Sequence, residues 1–346
     1  MTQPDKRLRV GIVGCGMISA VHAHALNTLK STILAGACSR SEASAERFCT
    51  QQGIRKFASY QEMLASPDID AVSLCTPSGD HCTQILQALE AGKHVVVEKP
   101  MCITLEECDR VIQKADETGL TVCVISQHRF SDGIQEIKRA IDAGALGKIH
   151  CVQLTMHYFR PQTYYDSAPW RGTWALDGGG VLMNQGIHGV DMLCYLLGRA
   201  QSVTGFITTS GREIEVEDTA AAALRFESGA IGTIDASTCC APGFPQRIVI
   251  TCEKGRIETQ DDSILEWTLP TPCQIPVGGE AGGSGAGDPM AIFMKNHIRQ
   301  FQNFADAVLE GKPLNSDARA GRLPLEIILG IYRSSREGRS IDTAER

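Results

Sequence analysis

Between residues 8 and 126, short apolar runs, many of them β-branched, alternate with stretches of helical periodicity. "RVGIV" gives way to a helix from Met17, "ILAGAC" to one from Glu42, "AVSLC" to one from about Asp80 and "HVVVE" to one from Thr104, and "LTVCVIS" closes the series. Strands that are apolar at successive positions need cover on both faces, and alternating helices supply it. This region is therefore expected to form a parallel sheet with crossover helices. Thr104 followed by Glu107 adds a capping box to one helix.

Beyond about residue 146 the pattern changes. Longer runs, "KIHCVQLTMHYF", "DTAAAALRF", "AIGTIDAST", "QRIVIT" and "GRIETQ", are separated by turns such as "ESG" and "EKG", as in antiparallel strands of one large sheet. "GIHGVDMLCYLLG" interrupts with helical spacing, and two helices follow the glycine-rich "PVGGEAGGSGAGDP", which reads as a mobile loop. At 346 residues the chain exceeds what one core usually supports. Two domains are expected, over 1–127 and 128–346.

Lys and Arg total 33 against 40 Asp and Glu, a net charge of -7, which argues against a non-specific polyanion binder. No nucleic-acid partner is expected. No 18 apolar residues run together, and the polar start "MTQPDKRLRV" has neither the apolar core nor the cleavage site of a signal peptide, so no membrane association is expected either. The 14 cysteines lie scattered in apolar runs with no C-x-x-C pair, which points away from structural zinc and toward small core residues in a reducing cytoplasm.

Directly after the first strand comes "GCGMIS", placing Gly14, Gly16 and Ser19 at the positions of G-x-G-x-x-G. In a strand-turn-helix context that motif binds a dinucleotide. Gly14 permits the turn, Gly16 lets backbone approach the pyrophosphate, and the amides of Met17 and Ile18 at the helix start donate to it. The second strand ends in "ACSRSE", with Ser39 and Arg40 where NAD-specific domains carry a carboxylate. The cofactor is read as NAD(P)(H), with Arg40 tilting the choice to NADP(H).

Two further strand ends carry polar groups. "CTPSGDH" holds Thr76, Pro77, Ser78 and His81, and "HVVVEKP" holds Glu98 and Lys99, at the carboxyl edge where open α/β sheets bind ligands. Pro100 biases Lys99 away from helix. Later, "GGGVLMNQGIH" packs a glycine triplet, Asn184 and His188 into otherwise buried-looking sequence.

Together, the G-x-G turn, "TPSGDH", "AGKHVVVEKP" and "GGGVLMNQGIHGVD" resemble the glucose-fructose oxidoreductase / inositol dehydrogenase / MocA family over nearly the whole chain. "WRGTW" and "NQGIH" look nearest to its sugar-nucleotide and pyranoside dehydrogenases. The resemblance implies an α/β Rossmann domain plus an α+β domain with a large, mostly antiparallel open sheet through which homodimers or homotetramers form. It also implies an oxidoreductase moving hydride between nicotinamide and a ring hydroxyl or ketone of a sugar, glycoside or sugar derivative.

The family's catalytic lysine falls on Lys99 and its histidine on His188. Oxidising a secondary alcohol requires a base for the hydroxyl proton, and histidine suits that task without tuning, whereas a lysine needs burial and a nearby positive charge. His188 is assigned as proton acceptor with Lys99 orienting the hydroxyl; the reverse assignment stays open. Many relatives carry aspartate four residues before the histidine, and Asn184 cannot take a proton there. Asp191, on the same helix face as His188, is a candidate to orient its ring.

By resemblance Gln127 and Arg129 approach the nicotinamide, and Trp170 and Arg171 serve cofactor or substrate. Tyr158, Arg160, Tyr165 and His297 are substrate candidates. Two other functions remain open: glycoside cleavage by transient oxidation and elimination with bound NAD, and a non-catalytic dinucleotide-binding regulator.

Overall fold

The computed structural model describes residues 7–278 and 294–345. The chain divides into two compact units, Met1–Gln127 with Phe293–Arg322, and His128–Ile292 with Leu323–Arg346.

In the first unit β1 (Leu8–Val13), α1 (Met17–Thr28), β2 (Thr32–Cys38), α2 (Glu42–Gln52), β3 (Arg55–Lys56), α3 (Tyr60–Ala65), β4 (Ala71–Leu74), α4 (Ser78–Glu90), β5 (His94–Val97), α5 (Leu105–Thr118) and β6 (Val122–Val124) follow in order. The strands form a parallel sheet in the order β3-β2-β1-β4-β5-β6, the doubly wound arrangement expected from the alternation. Half of the expected capping box is present: Thr104 Oγ1 accepts the Glu107 amide (3.2 Å), while the Glu107 carboxylate accepts the amide of Ile103, one residue before the cap, rather than that of Thr104.

The second unit contains α6 (Asp132–Asp142), β7 (Ile149–His157), α7 (Gln162–Asp166), a π-turn over Val181–Gln185, α8 (Ile187–Leu197), β8 (Ala200–Thr208), β9 (Thr219–Phe226), β10 (Ile231–Ser237), β11 (Arg247–Cys252), β12 (Gly255–Gln260) and β13 (Ser263–Trp267). After α9 (Met294–Glu310) and α10 (Ala318–Glu337), β14 (Ile341–Asp342) completes an eight-stranded sheet ordered β13-β12-β11-β7-β10-β9-β8-β14. Every pair is antiparallel except β7 with β10. Strands β8 and β10 alternate buried and exposed residues, so one face carries a core and the other is open.

One boundary differs from the sequence expectation. Helix α9 was assigned to the second domain, but it packs in the first, where Phe301 and Phe304 join the core formed by Val10, Ile12, Ala23 and Leu26. Gln300 fastens it there, donating to the Val124 carbonyl (2.8 Å) and accepting the Ser126 amide (3.0 Å). The glycine-rich run lies outside the described residues from position 279 onward.

Candidate functional site

All six strands of the first sheet are parallel, so the turns after β1, β4 and β5 share its carboxyl edge, with the change of chain direction falling between β1 and β4. That is where such sheets take ligands. Gly14 has φ +90°, and a β-carbon on it would lie 2.7 Å from the Cys75 carbonyl oxygen, so only glycine fits. A β-carbon on Gly16 would meet nothing within 4 Å, leaving open space before the first turn of α1. No side chain caps that helix start, and its first turn carries no acidic group. An uncapped set of amides facing open space suits a dinucleotide pyrophosphate. Ser19 is fully buried and donates to the Gly16 carbonyl (2.6 Å), so the small third residue tightens the turn. Met17, by contrast, is 69% exposed.

Thr76 donates to Gln84 Oε1 (2.6 Å). His81, expected beside the cofactor, is instead 1% exposed, its ring nitrogens 2.8 and 2.9 Å from the Pro100 and Thr76 carbonyl oxygens. It clamps the two strand-end turns together beside the Lys99–Pro100 bond, which is cis.

Glu98 is also turned inward. One oxygen lies 2.9 Å from His22 Nε2 and the other accepts the Lys99 amide (3.2 Å), while His22 Nδ1 meets Ser73 Oγ at 2.8 Å. Burial opposes ionisation of Glu98, but the His22 hydrogen bond and charge, with Lys99 and His297, bring it down to about 2. Burial likewise opposes charge on His22, and Cys75 and Glu98 outweigh it, pushing His22 up to about 10. The two side chains thus form a buried, hydrogen-bonded pair. His297, a substrate candidate from the sequence, is 2% exposed and stacks 5.8 Å from His22, which makes it part of this cluster. His22, Glu98 and His297 offer three ligand atoms within 4.8 Å of one another, a set that a metal ion could use. The His22–Glu98 spacing is that of a hydrogen bond, and both His22 nitrogens already have partners.

In the second unit, the stretch from Gly178 to His188 is shaped by Glu217, a residue the sequence reading passed over. Its carboxylate accepts the amides of Gly180 (2.8 Å) and Leu182 (2.9 Å) and the Tyr332 hydroxyl (2.7 Å). A β-carbon on Gly180 would collide with the Glu217 backbone carbonyl, and one on Gly179 with the Tyr332 hydroxyl. The glycines therefore admit close backbone packing under the π-turn that leads to His188. Burial outweighs the donors from Leu182, Tyr332 and Gly180 and pushes Glu217 up to about 7.

A carboxyl group that titrates higher in the folded than in the unfolded protein gives stability that is complete below about pH 4.5. That contribution is lost as pH rises through about 7. Glu217→Gln is expected to flatten the decline in melting temperature between pH 5 and 8, a term on the order of 3 kcal/mol. Parallel pH–melting curves for the two proteins would rule this out.

Asn184 donates to Asp177 Oδ1 (2.7 Å), whose other oxygen accepts the Gly172 amide (2.9 Å). A carboxylate thus stands beside the amide that replaces the expected one. The His188 ring makes a T-shaped contact with His128, centroids 5.0 Å apart, and His128 Nδ1 lies 2.6 Å from Asp262 Oδ1. Burial opposes charge on His128, and Asp262 more than compensates, raising its pKa.

Asp191, a candidate for orienting His188, is engaged through both oxygens by Arg129 (2.8 and 2.6 Å). Arg129, expected near the nicotinamide, is buried in that pair. Gln127 begins the same short 3-10 turn and is 2% exposed.

Tyr158 and Tyr165, read as substrate candidates, are core residues. Their hydroxyls meet Gln246 Oε1 (3.1 Å) and Thr238 Oγ1 (3.0 Å), and burial pushes Tyr165 up to about 12. Tyr164 and Trp170 are half-buried aromatics of the same stretch. Arg171 lies 4.1 Å over its ring and 4.8 Å over that of Trp170, and Arg160 lies 5.6 Å from Tyr164. Gln185 donates to the Tyr164 hydroxyl (3.4 Å), and Gln185 Oε1 and Arg171 Nε are buried with no hydrogen-bond partner among the described residues.

Comparison with known proteins agrees with this architecture. Residues 8–126 match the NAD-binding Rossmann fold of an oxidoreductase family, and residues 134–258 match the GFO/IDH/MocA C-terminal domain. The structure of the WlbA dehydrogenase from Bordetella pertussis, in complex with NADH and UDP-GlcNAcA, superposes with a TM-score of 0.87 at 34% identity, covering 97% of this chain and 99% of that one. Myo-inositol 2-dehydrogenase of Thermotoga maritima is 26% identical over 98% of this chain and 99% of its own length. An NADP(+)-dependent scyllo-inositol 2-dehydrogenase of Bacillus subtilis is 26% identical over 96% and 95%. With both of its units matched and their folds in agreement, the chain belongs to the GFO/IDH/MocA family of NAD-binding oxidoreductases.

Proposed function

We propose that this protein is an NAD(P)-dependent dehydrogenase acting on a ring hydroxyl of an anionic sugar or sugar derivative, with Lys99 and His188 as its catalytic residues. The observation that carries this reading is the shared carboxyl edge in the first unit. There the open glycine turn after β1 and the half-buried Lys99 after β5 flank the switch in strand order. A dinucleotide held by Gly14, Gly16 and the α1 amides supplies the hydride acceptor when bound. His188 takes the hydroxyl proton, its ring plane set by His128. Lys99 hydrogen-bonds the same oxygen and stabilises the charge that develops on it.

The substrate's charge follows from the second unit. Arg160 and Arg171 gather on the Tyr164 and Trp170 rings, and the buried Arg171 Nε and Gln185 Oε1 have no hydrogen-bond partner among the described residues. Aromatic faces suit a sugar ring, and paired arginines suit a carboxylate or phosphate. The test is a panel of uronic acids, sugar nucleotides, neutral pyranosides and inositols, followed by nicotinamide absorbance with NAD and NADP. Turnover confined to neutral polyols would reject the anionic class.

NADP(H) is the favoured cofactor. The Arg40 side chain is 79% exposed and only loosely paired with Asp80 at 3.8 Å, at the end of β2 where a 2'-phosphate is read. Arg40→Ala is expected to raise the KM for NADP about tenfold, the worth of one charged hydrogen bond, and to leave the KM for NAD unchanged. Equal effects on both would remove Arg40 from cofactor selection.

No described helix is long and apolar enough to cross a membrane. The fourteen cysteines are free thiols, which supports a reducing, cytoplasmic setting. Phe206 and Ile231, 72% and 53% exposed, lie on the open face of the second sheet and support self-association into a dimer or tetramer there.

A further inference from the structure

We infer that Asp80 is a second cofactor-selecting residue: its carboxylate, reaching Arg40 from the first turn of α4, opposes the 2'-phosphate that Arg40 attracts and keeps NAD usable beside NADP. The inference rests on the role proposed above for Arg40 and adds the group that works against it. NAD-specific domains carry an acid at the end of β2, where it accepts the ribose 2'-hydroxyl and repels a 2'-phosphate. Here that position holds Ser39 and Arg40. Glu42, the next acid along the chain, pairs instead with Lys56 (3.4 Å).

Sheet order brings a substitute acid in from elsewhere. Strand β1 pairs with β2 on one side and β4 on the other, so the segments that follow β2 and β4 flank the glycine turn after β1. Arg40 comes from the first of these segments and Asp80 from the second, and Arg40 Nη1 stands 3.8 Å from Asp80 Oδ2. The two side chains are 79% and 33% exposed. That spacing exceeds a charged hydrogen bond, so the pair is weak and leaves the guanidinium able to take a phosphate. A phosphate on Arg40 brings about two negative charges close to the Asp80 carboxylate, whereas a 2'-hydroxyl brings none and donates to it. An acid in the first turn of α4 also suits the helix dipole. That role alone would treat NAD and NADP alike.

The test titrates the full chain, dialysed free of dinucleotide, with adenosine 2',5'-bisphosphate and with 5'-AMP by calorimetry. The two ligands differ only in the 2'-phosphate. Wild type is compared with Asp80→Asn, which keeps the size and hydrogen-bonding reach of the side chain, and with Arg40→Ala. Asp80→Asn is expected to tighten the bisphosphate about fivefold at low salt, with 5'-AMP unchanged within about twofold, and the gain shrinks as added salt screens the charge. An unchanged ratio of the two affinities, or an equal change in both alongside a lowered melting temperature, overturns the inference. Arg40→Ala reads the underlying assignment separately, since it is expected to weaken the bisphosphate alone. A bisphosphate affinity unmoved in Arg40→Ala but tightened in Asp80→Asn would remove Arg40 and leave the opposition of Asp80 standing. Weakening in Arg40→Ala with a silent Asp80→Asn would keep Arg40 and remove Asp80.

Discussion

Lys99→Met is expected to lower kcat by about 10²–10⁴-fold while dinucleotide affinity changes little, because general acid–base assistance is lost and the turn that holds the cofactor is untouched. In the proposed reading cofactor binding depends on Gly14, Gly16 and the α1 amides rather than on the Lys99 side chain. Lys99→Arg is expected to fail as well, since guanidinium keeps its proton across the working range. Steady-state kinetics together with dinucleotide titration separates the outcomes. A Lys99→Met enzyme within a few-fold of wild-type kcat would mean that the proton and the developing charge are handled elsewhere. His188→Asn is the companion variant, and the relative loss in the two, followed against pH, distinguishes proton acceptor from polarising group.

The largest expected effect on stability lies at Arg129 and Asp191. Their side chains are 3% and 7% exposed and share two hydrogen bonds, 2.8 and 2.6 Å. Removing one partner of such a pair strands a charge in the interior and costs about 3–5 kcal/mol, whereas replacing both with apolar groups recovers much of that loss. Arg129→Met should therefore melt the second unit well before the first, and Arg129→Met with Asp191→Leu should restore most of the melting temperature. Additive losses in the double variant would show that the two residues are not energetically coupled. Asp191 begins its chain neighbourhood only three residues from His188, so the single variants are also expected to lose activity through a displaced helix.

Much of the first unit was legible because its signals are local. "RVGIVGCGMIS" gives a strand, a turn only glycine can make and a helix start within eleven residues, and the structure has each of them. Helix α9 shows the limit of such reading. Its apolar stripe announced a helix, but periodicity does not name the surface that the stripe will meet, and Phe301 and Phe304 found the first core.

The site was legible in its resemblance-bearing residues and not in their supports. Asp262 is 134 positions from His128, and Glu217 is 37 from Gly180, so nothing local in the sequence pairs them. Tyr158 and Tyr165 were read as sugar-facing from an aromatic-rich stretch. Tyr158 directly follows the alternating β7 and is buried, and Tyr165 turns inward from α7, which leaves Tyr164 on the partly open side. The sequence places Glu98 at the cofactor edge, and its inward turn depends on His22 of α1, 76 positions away in the chain.

The most direct measurement of the central claim is a single-turnover reaction with a responding sugar deuterated at the reacting carbon, analysed by mass spectrometry of dinucleotide and product. The account predicts one deuterium on the reduced nicotinamide and a carbonyl in the sugar, in equal amounts. Release of a free sugar from a glycoside, with the dinucleotide recovered in its oxidised form, would contradict it.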